Sequence, residues 1–199
     1  MQSPVNFFTV EEYLKAEDKS EIRHEYLGGQ VFAMSGGSKE HNIITLNIAS
    51  RLRSHLRGGS CSVFMADMKV RIELASQNKS IFYYPDVVVT CDRPLGGSLL
   101  EHRQDQDRFC LNYPCLIIEV LSPSTEVTDR REKLVNYRTL ESLREYVLVS
   151  QDEIKVEVYR KDNQGNWSVQ TLFKGDDLKL DSVGLTLTMT DVYEDVFTL

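Results

Sequence analysis

The sequence predicts an α/β fold: a mixed β-sheet flanked by helices, with extra β-hairpins. Three observations predict it. "CLIIEVLS", a helical stretch and "EYVLVS" follow one another, a strand–helix–strand unit that permits a right-handed parallel crossover. Stretches around Gly28-Gly29 and around Asn163 to Asn166 read as hairpins, which pair antiparallel. "CLIIEVLS" also has too few polar positions for a one-sided sheet, so it calls for cover on both faces.

The elements follow in order. Thr9 and Glu12 form a capping box that opens a short helix through about Ala16. "RHEYLGGQVFAMSGG" supplies the first hairpin. Ser38 caps a long helix, "KEHNIITLNIASRLRSHLR", with Ile44, Ile48 and Leu52 at helical spacing and Gly58-Gly59 as its stop. "CSVFMADMKVRIEL" alternates as a strand whose phase changes at Ala66-Asp67, read as a bulge. "IFYYPDVVVTC" reads as a β-branched and aromatic strand, and "RPLGGS" with "EHRQDQDRF" as a polar loop. After "CLIIEVLS", the stretch "TEVTDRREKLVNYRTLESL" predicts a helix with Leu134, Tyr137 and Leu140 on one stripe. "EYVLVS" is a strand, "KVEVYRKDNQGNWSVQTLF" a hairpin, and "TDVYEDVF" a short helix capped by Thr190.

A chain of 199 residues suits one domain, residues 1–199, with a sizeable core. With 41% hydrophobic and 27% charged residues it is globular in composition. No apolar run approaches a membrane span, and the first residues lack the basic-then-apolar pattern of a secretory signal. None of Cys61, Cys91, Cys110 and Cys115 forms a CxxC pair, which argues against structural zinc. Cys91 and Cys115 read as unbridged, hydrophobe-like thiols, and a reduced cytoplasmic setting is expected. The net charge of -7 disfavours a strongly basic nucleic-acid coat but leaves room for a local site.

The chemistry lies in carboxylates set within apolar strands. Asp86 directly precedes Val87-Val88-Val89, and Glu119 follows Leu116-Ile117-Ile118. Pro85 is poorly tolerated in mid-sheet, so Asp86 is expected near a strand start or bend. Such carboxylates are expensive to bury unless paired, hydrogen-bonded or bound to a cation. Oxygen ligands of this kind suit Mg²⁺, with Mn²⁺ as a substitute. Strand alternation puts Ile117, Glu119 and Leu121 on one face, so the residue two beyond Glu119 is no cation. The nearest cation on an ordered element is Lys133, one helical turn from both Asp129 and Tyr137, and it is expected to reach back over the strand end.

Several segments together resemble the PD-(D/E)xK nuclease superfamily, and more narrowly its Uma-type branch of bacterial restriction-endonuclease-like proteins. They are "PDVVVTCD", "CLIIEVLSPST", "DRREKLVNYR" and "REYVLVS", preceded by "RHEYLGGQVFAMSGGSKEH". The resemblance spans roughly residues 23–159. It implies a restriction-endonuclease-like fold in which Asp86 and Glu119 hold Mg²⁺ and Lys133 assists attack on phosphate. Glu25 matches the acidic residue of the opening segment. The superfamily's usual lysine lies two residues after the glutamate, where this chain has Leu121; in this branch a helix lysine stands in, and Lys133 matches it.

The expectation is therefore a Mg²⁺-dependent endonuclease acting on DNA, with His41 and Arg130 contacting substrate. A homodimer is expected from the two-fold symmetry of a duplex site. Structural roles compete at each position. Asp86 suits a turn satisfied by backbone N–H groups, and Glu119 a buried ion pair with Arg130, Arg131 or Lys133. Lys133 suits an exposed pair with Asp129, Glu25 a solvated hairpin side, and His41 a satisfied core position. A binding module that kept the fold and lost catalysis is the rival function.

Overall fold

The structure, a computed structural model, describes residues 7–74, 77–91 and 108–197. Two mixed sheets lie face to face. The first has five strands in the order β2 (Gln30–Ala33), β1 (His24–Leu27), β5 (Lys79–Tyr83), β4 (Lys69–Leu74) and β7 (Cys110–Leu111). The second has six: β11 (Trp167–Phe173), β10 (Lys155–Lys161), β9 (Glu145–Ser150), β8 (Pro114–Leu121), β6 (Val87–Thr90) and β3 (Ser62–Met65). As the sequence predicts, β8 and β9 pair in parallel through a helical crossover, and the pairs β1–β2 and β10–β11 are antiparallel hairpins.

Period-two alternation decides what each strand faces. Leu116, Ile118 and Val120 of β8 join Val87 and Val89 of β6 in a core with α2 (Lys39–His55). That core is completed by α5 (Met189–Tyr193) and a small hairpin, β12 (Asp177–Leu180) and β13 (Leu185–Thr188). Ile117 and Leu121 face the other way, onto Val70, Ile72, Ile81 and Tyr83 of the first sheet. The outer face of that sheet is sealed by α1 (Val10–Glu17), whose Tyr13 stacks on Tyr26 at 4.9 Å between ring centroids. Buried apolar side chains on both faces explain why β8 reads as a continuous hydrophobic run.

Several sequence expectations need correction. The phase change at Ala66-Asp67 is not a bulge: Ala66, at φ 34°, turns the chain from β3 in one sheet to β4 in the other. "IFYYPDVVVTC" is two strands in different sheets, not one; they part at Tyr84-Pro85, where a residue without an N–H interrupts pairing and leaves Asp86 just ahead of a strand start, as Pro85 led one to expect. The last helix is capped by Thr188, whose hydroxyl accepts from the Asp191 N–H, not by Thr190. Cys91 is disulfide-bonded to Cys61, because the two residues flank the facing pair Ser62 and Thr90 on antiparallel strands. Most of the expected polar loop, residues 92–107, lies outside the described residues. Among the described residues no helix is long and apolar enough to cross a membrane.

One buried carboxylate is structural. Glu145 opens β9 and is 2% exposed. It accepts from the N–H groups of Asp181 and Ser182 at 3.1 and 2.8 Å, from the Ser182 hydroxyl, and from Arg160 Nε at 3.1 Å. These bonds tie the β12–β13 turn to the main sheet. Glu145→Ala strands two backbone donors and is expected to lower the unfolding free energy by about 3 kcal/mol. Urea unfolding measures it: the midpoint falls with little change in slope, and an unmoved midpoint would contradict this role.

Candidate active site

The crossover between β8 and β9 is one helical run with a widened centre: α3 (Glu126–Thr128), a π-helical turn (Asp129–Lys133) and α4 (Leu134–Tyr137). Asp129, Lys133 and Tyr137 are all buried, at spacings of four residues, so they form one inward stripe. A π turn at a cavity wall is a feature often associated with functional sites.

The stripe meets Glu119 on the inward face of β8. Lys133 Nζ lies 2.9 Å from Glu25 Oε1, 3.1 Å from Glu119 Oε1 and 3.1 Å from Asp129 Oδ1. The Tyr137 hydroxyl donates to Glu119 Oε1 at 3.2 Å. The bend just before β6 brings in Asp86, whose N–H donates to Glu119 Oε2 at 3.3 Å. Asp86 Oδ2 accepts from the Val120 N–H at 2.7 Å and lies 3.2 Å from His41 Nε2. No ion pair joins Lys133 to Asp86 directly; the two meet through Glu119.

Charge and burial pull in opposite directions here. Burial raises the Glu119 pKa first; the charges of Asp129, Asp86 and Glu25 add to the rise, while Lys133 opposes it. The carboxyl therefore titrates well above the usual carboxylate range. For Lys133, burial alone would lower the pKa, but Glu119, Glu25 and Asp129 outweigh it and hold the ammonium charged, well above its ordinary value. His41 behaves alike: burial pulls its pKa down, and the hydrogen bond and charge of Asp86, with the Val120 carbonyl, leave it raised. Gly37 makes room for that ring, since a Cβ there would sit 2.8 Å from His41 Nδ1.

The structure thus brings together Asp86, Glu119, Lys133, Glu25 and His41. It does not bring in Arg130, whose guanidinium is 2.7 Å from Glu126 and 2.6 Å from Glu157 and lines neither neighbouring cavity. Its side of the helix faces β10 rather than the acids. Asp129, placed by the sequence one helical turn from Lys133 but given no role in the site, is 2% exposed and belongs to the cluster. The spacing Asp129, Lys133, Tyr137 is the signal that could have found it.

A cavity of about 70 Å³ opens between Asp86, Glu119, His41, Asp129 and Lys133. Among the described residues, no group of three His, Cys, Asp or Glu side chains is spaced to hold a metal ion unaided. The donor set nevertheless fits Mg²⁺, which commonly takes one or two carboxylates and fills its shell with water and phosphate oxygens. Asp129 Oδ1 strengthens the fit. It is buried, meets Lys133 only as an ion-pair contact, and receives no hydrogen bond.

A family model described as "Uma2: putative restriction endonuclease" matches residues 10–190. Two uncharacterized proteins of Synechocystis sp. are similar along most of their length. One is 36% identical over 191 residues, 96% of this chain and 94% of the relative. The other is 30% identical over 164 residues, 82% of this chain and 86% of the relative. The crystal structure of a putative nuclease belonging to DUF820 from Anabaena variabilis shares the fold. Its TM-score is 0.72 over 94% of this chain and 97% of that one, at 19% identity.

Removing the one cation of the stripe leaves carboxylates facing each other in a dry place. Lys133→Met is expected to destabilise the fold by about 3–5 kcal/mol in the presence of a chelator. Adding Glu119→Gln should recover part of that loss. Urea unfolding of both variants reads the coupling; a single variant as stable as the wild type would contradict the electrostatic account.

Proposed function

The chain belongs to the Uma2 family, described as putative restriction endonucleases, and from that membership we propose a Mg²⁺-dependent endonuclease that hydrolyses DNA phosphodiester bonds. The observation that carries the reading is the meeting of Glu119 with both Asp86 and Lys133 at the wall of one small cavity. Asp86 and Glu119 would hold the cation. When bound, that ion supplies Lewis-acid charge to the scissile phosphate and lowers the pKa of a ligand water.

The chain's own groups do the rest. Lys133, held charged, cannot serve as a ready base; it offers a fixed positive charge to phosphate oxygens as they gain charge. Glu25 and Asp129 position that ammonium from two sides. Tyr137 fixes the Glu119 carboxylate by its hydroxyl. His41 holds Asp86 and borders the cavity, where it can contact a substrate oxygen. The reading carries with it a homodimer matched to duplex symmetry and a cytoplasmic setting where DNA is found.

A binding module is the second reading, favoured by Leu121 at the usual lysine position and by an ammonium already engaged with carboxylates. Asp86→Ala and Glu119→Ala are expected to abolish Mg²⁺-dependent cleavage of plasmid and oligonucleotide DNA while circular dichroism stays that of a folded chain. Cleavage unchanged in both variants would remove the assignment. Calorimetry with Mg²⁺ or Mn²⁺ separates the readings: no metal site together with a persisting gel shift selects the module.

A further inference from the structure

Beside the small cavity lies a larger one, of about 330 Å³, which shares Lys133 and Asp129 with the chemistry above but whose apolar hairpin wall that chemistry does not use. The two share Glu25's neighbour Lys133 and also Asp129, Met34, Ser35 and Thr125 as walls, so a group in one abuts a group in the other. One side of the larger cavity is apolar and comes from the β1–β2 hairpin: Leu27, Phe32, Ala33 and Met34. Phe32 is 48% exposed and Met34 37% exposed, although both stand at the mouth of a cavity. The opposite side carries the hydroxyls of Ser124, Thr125 and Thr128 and the carboxylate of Glu132.

Those walls choose their ligand. Here three acids, Glu25, Asp129 and Glu132, face one lining cation, Lys133, and the pair Asp86 and Glu119 that would bring in a metal ion is not part of the wall, so a phosphate is disfavoured. A neutral planar ring is not repelled. It can stack on Phe32 and Met34 while its edge N–H groups donate to Glu132 and the hydroxyls. The volume is at the lower end of small-ligand pockets, about 300–1,000 Å³, which suits one heterocycle with its sugar and not a stretch of duplex.

We propose that this cavity receives one unstacked nucleobase next to the phosphate being cut, so that the substrate is duplex DNA locally opened at the cut. The proposal rests on the nuclease reading of the adjoining site. Phe32 supplies the stacking face, and Glu132 with Thr128 favours bases bearing an exocyclic amine over thymine. Extruding a base carries an unstacking penalty that is least for an unpaired one, so a duplex with a bulged base is the preferred substrate.

The test uses the full-length protein and oligonucleotides carrying 2-aminopurine, either unpaired in a bulge or fully paired, with Ca²⁺ for binding and Mg²⁺ for cleavage. Stacking on Phe32 should change the fluorescence of the unpaired probe on binding, and Phe32→Ala should abolish that change. With Mg²⁺, Phe32→Ala is expected to raise KM for the bulged substrate about tenfold while leaving calorimetric metal binding intact. Thr128→Val, a change at the exposed wall, should narrow the preference for amine-bearing bases. A saturated complex whose probe fluoresces as it does free overturns the pocket, whether or not the DNA is cut. Equal cleavage of bulged and paired DNA overturns it also. A Phe32-dependent fluorescence change without any cleavage overturns the nuclease reading and leaves the pocket standing.

Discussion

Lys133 carries its ammonium to a place where it is 4% exposed, and Glu119, at 3%, waits there with little water to solvate it. Neither charge is tolerable alone, since an ion taken out of water carries a penalty of several kcal/mol that only close partners offset. The rest of the site follows from this constraint. Glu25 must come from the facing sheet and Asp129 from the same helix, because a single carboxylate leaves the ammonium's other donors unmet. The surplus of negative charge then left among Glu25, Asp86, Glu119 and Asp129 favours a further cation in the adjoining cavity.

Burial of a carboxylate is not by itself a functional signal, and the same fold shows both cases. Glu145 and Glu119 sit on neighbouring parallel strands, both nearly inaccessible. Glu145 is saturated by two backbone N–H groups, a hydroxyl and Arg160, and it anchors a turn. Glu119 is met by a lysine, a tyrosine and a backbone N–H, and it borders open space. What separates them is the cavity and the clustering of like charges around it, which no local sequence pattern records.

Much of this arrangement was legible in the residues. The two-residue period placed Glu119 on the face of Ile117 and Leu121, and the four-residue spacing aligned Lys133 with Tyr137; both hold in space. Other features depend on tertiary geometry. The four-residue spacing put Asp129 beside Lys133, but the π turn at Asp129–Lys133 has no signature in the sequence, and neither does the burial that makes Asp129 part of the site. The passage from one sheet to the other at Ala66 looks in sequence like a phase slip within one strand, whereas at Tyr84-Pro85 the proline marked the bend but not the change of sheet. Arg130 misled for a related reason: three helical positions from Lys133, it points to β10 and Glu157 instead of the acids. The Cys61–Cys91 bridge depends on the register of β3 against β6, which pattern alone does not set.

The most direct test of the central claim is anomalous diffraction from crystals soaked in Mn²⁺. The account predicts one strong peak between the carboxylates of Asp86 and Glu119, on the cavity side of His41. A peak lying elsewhere, or none at a manganese concentration that supports cleavage, would contradict it.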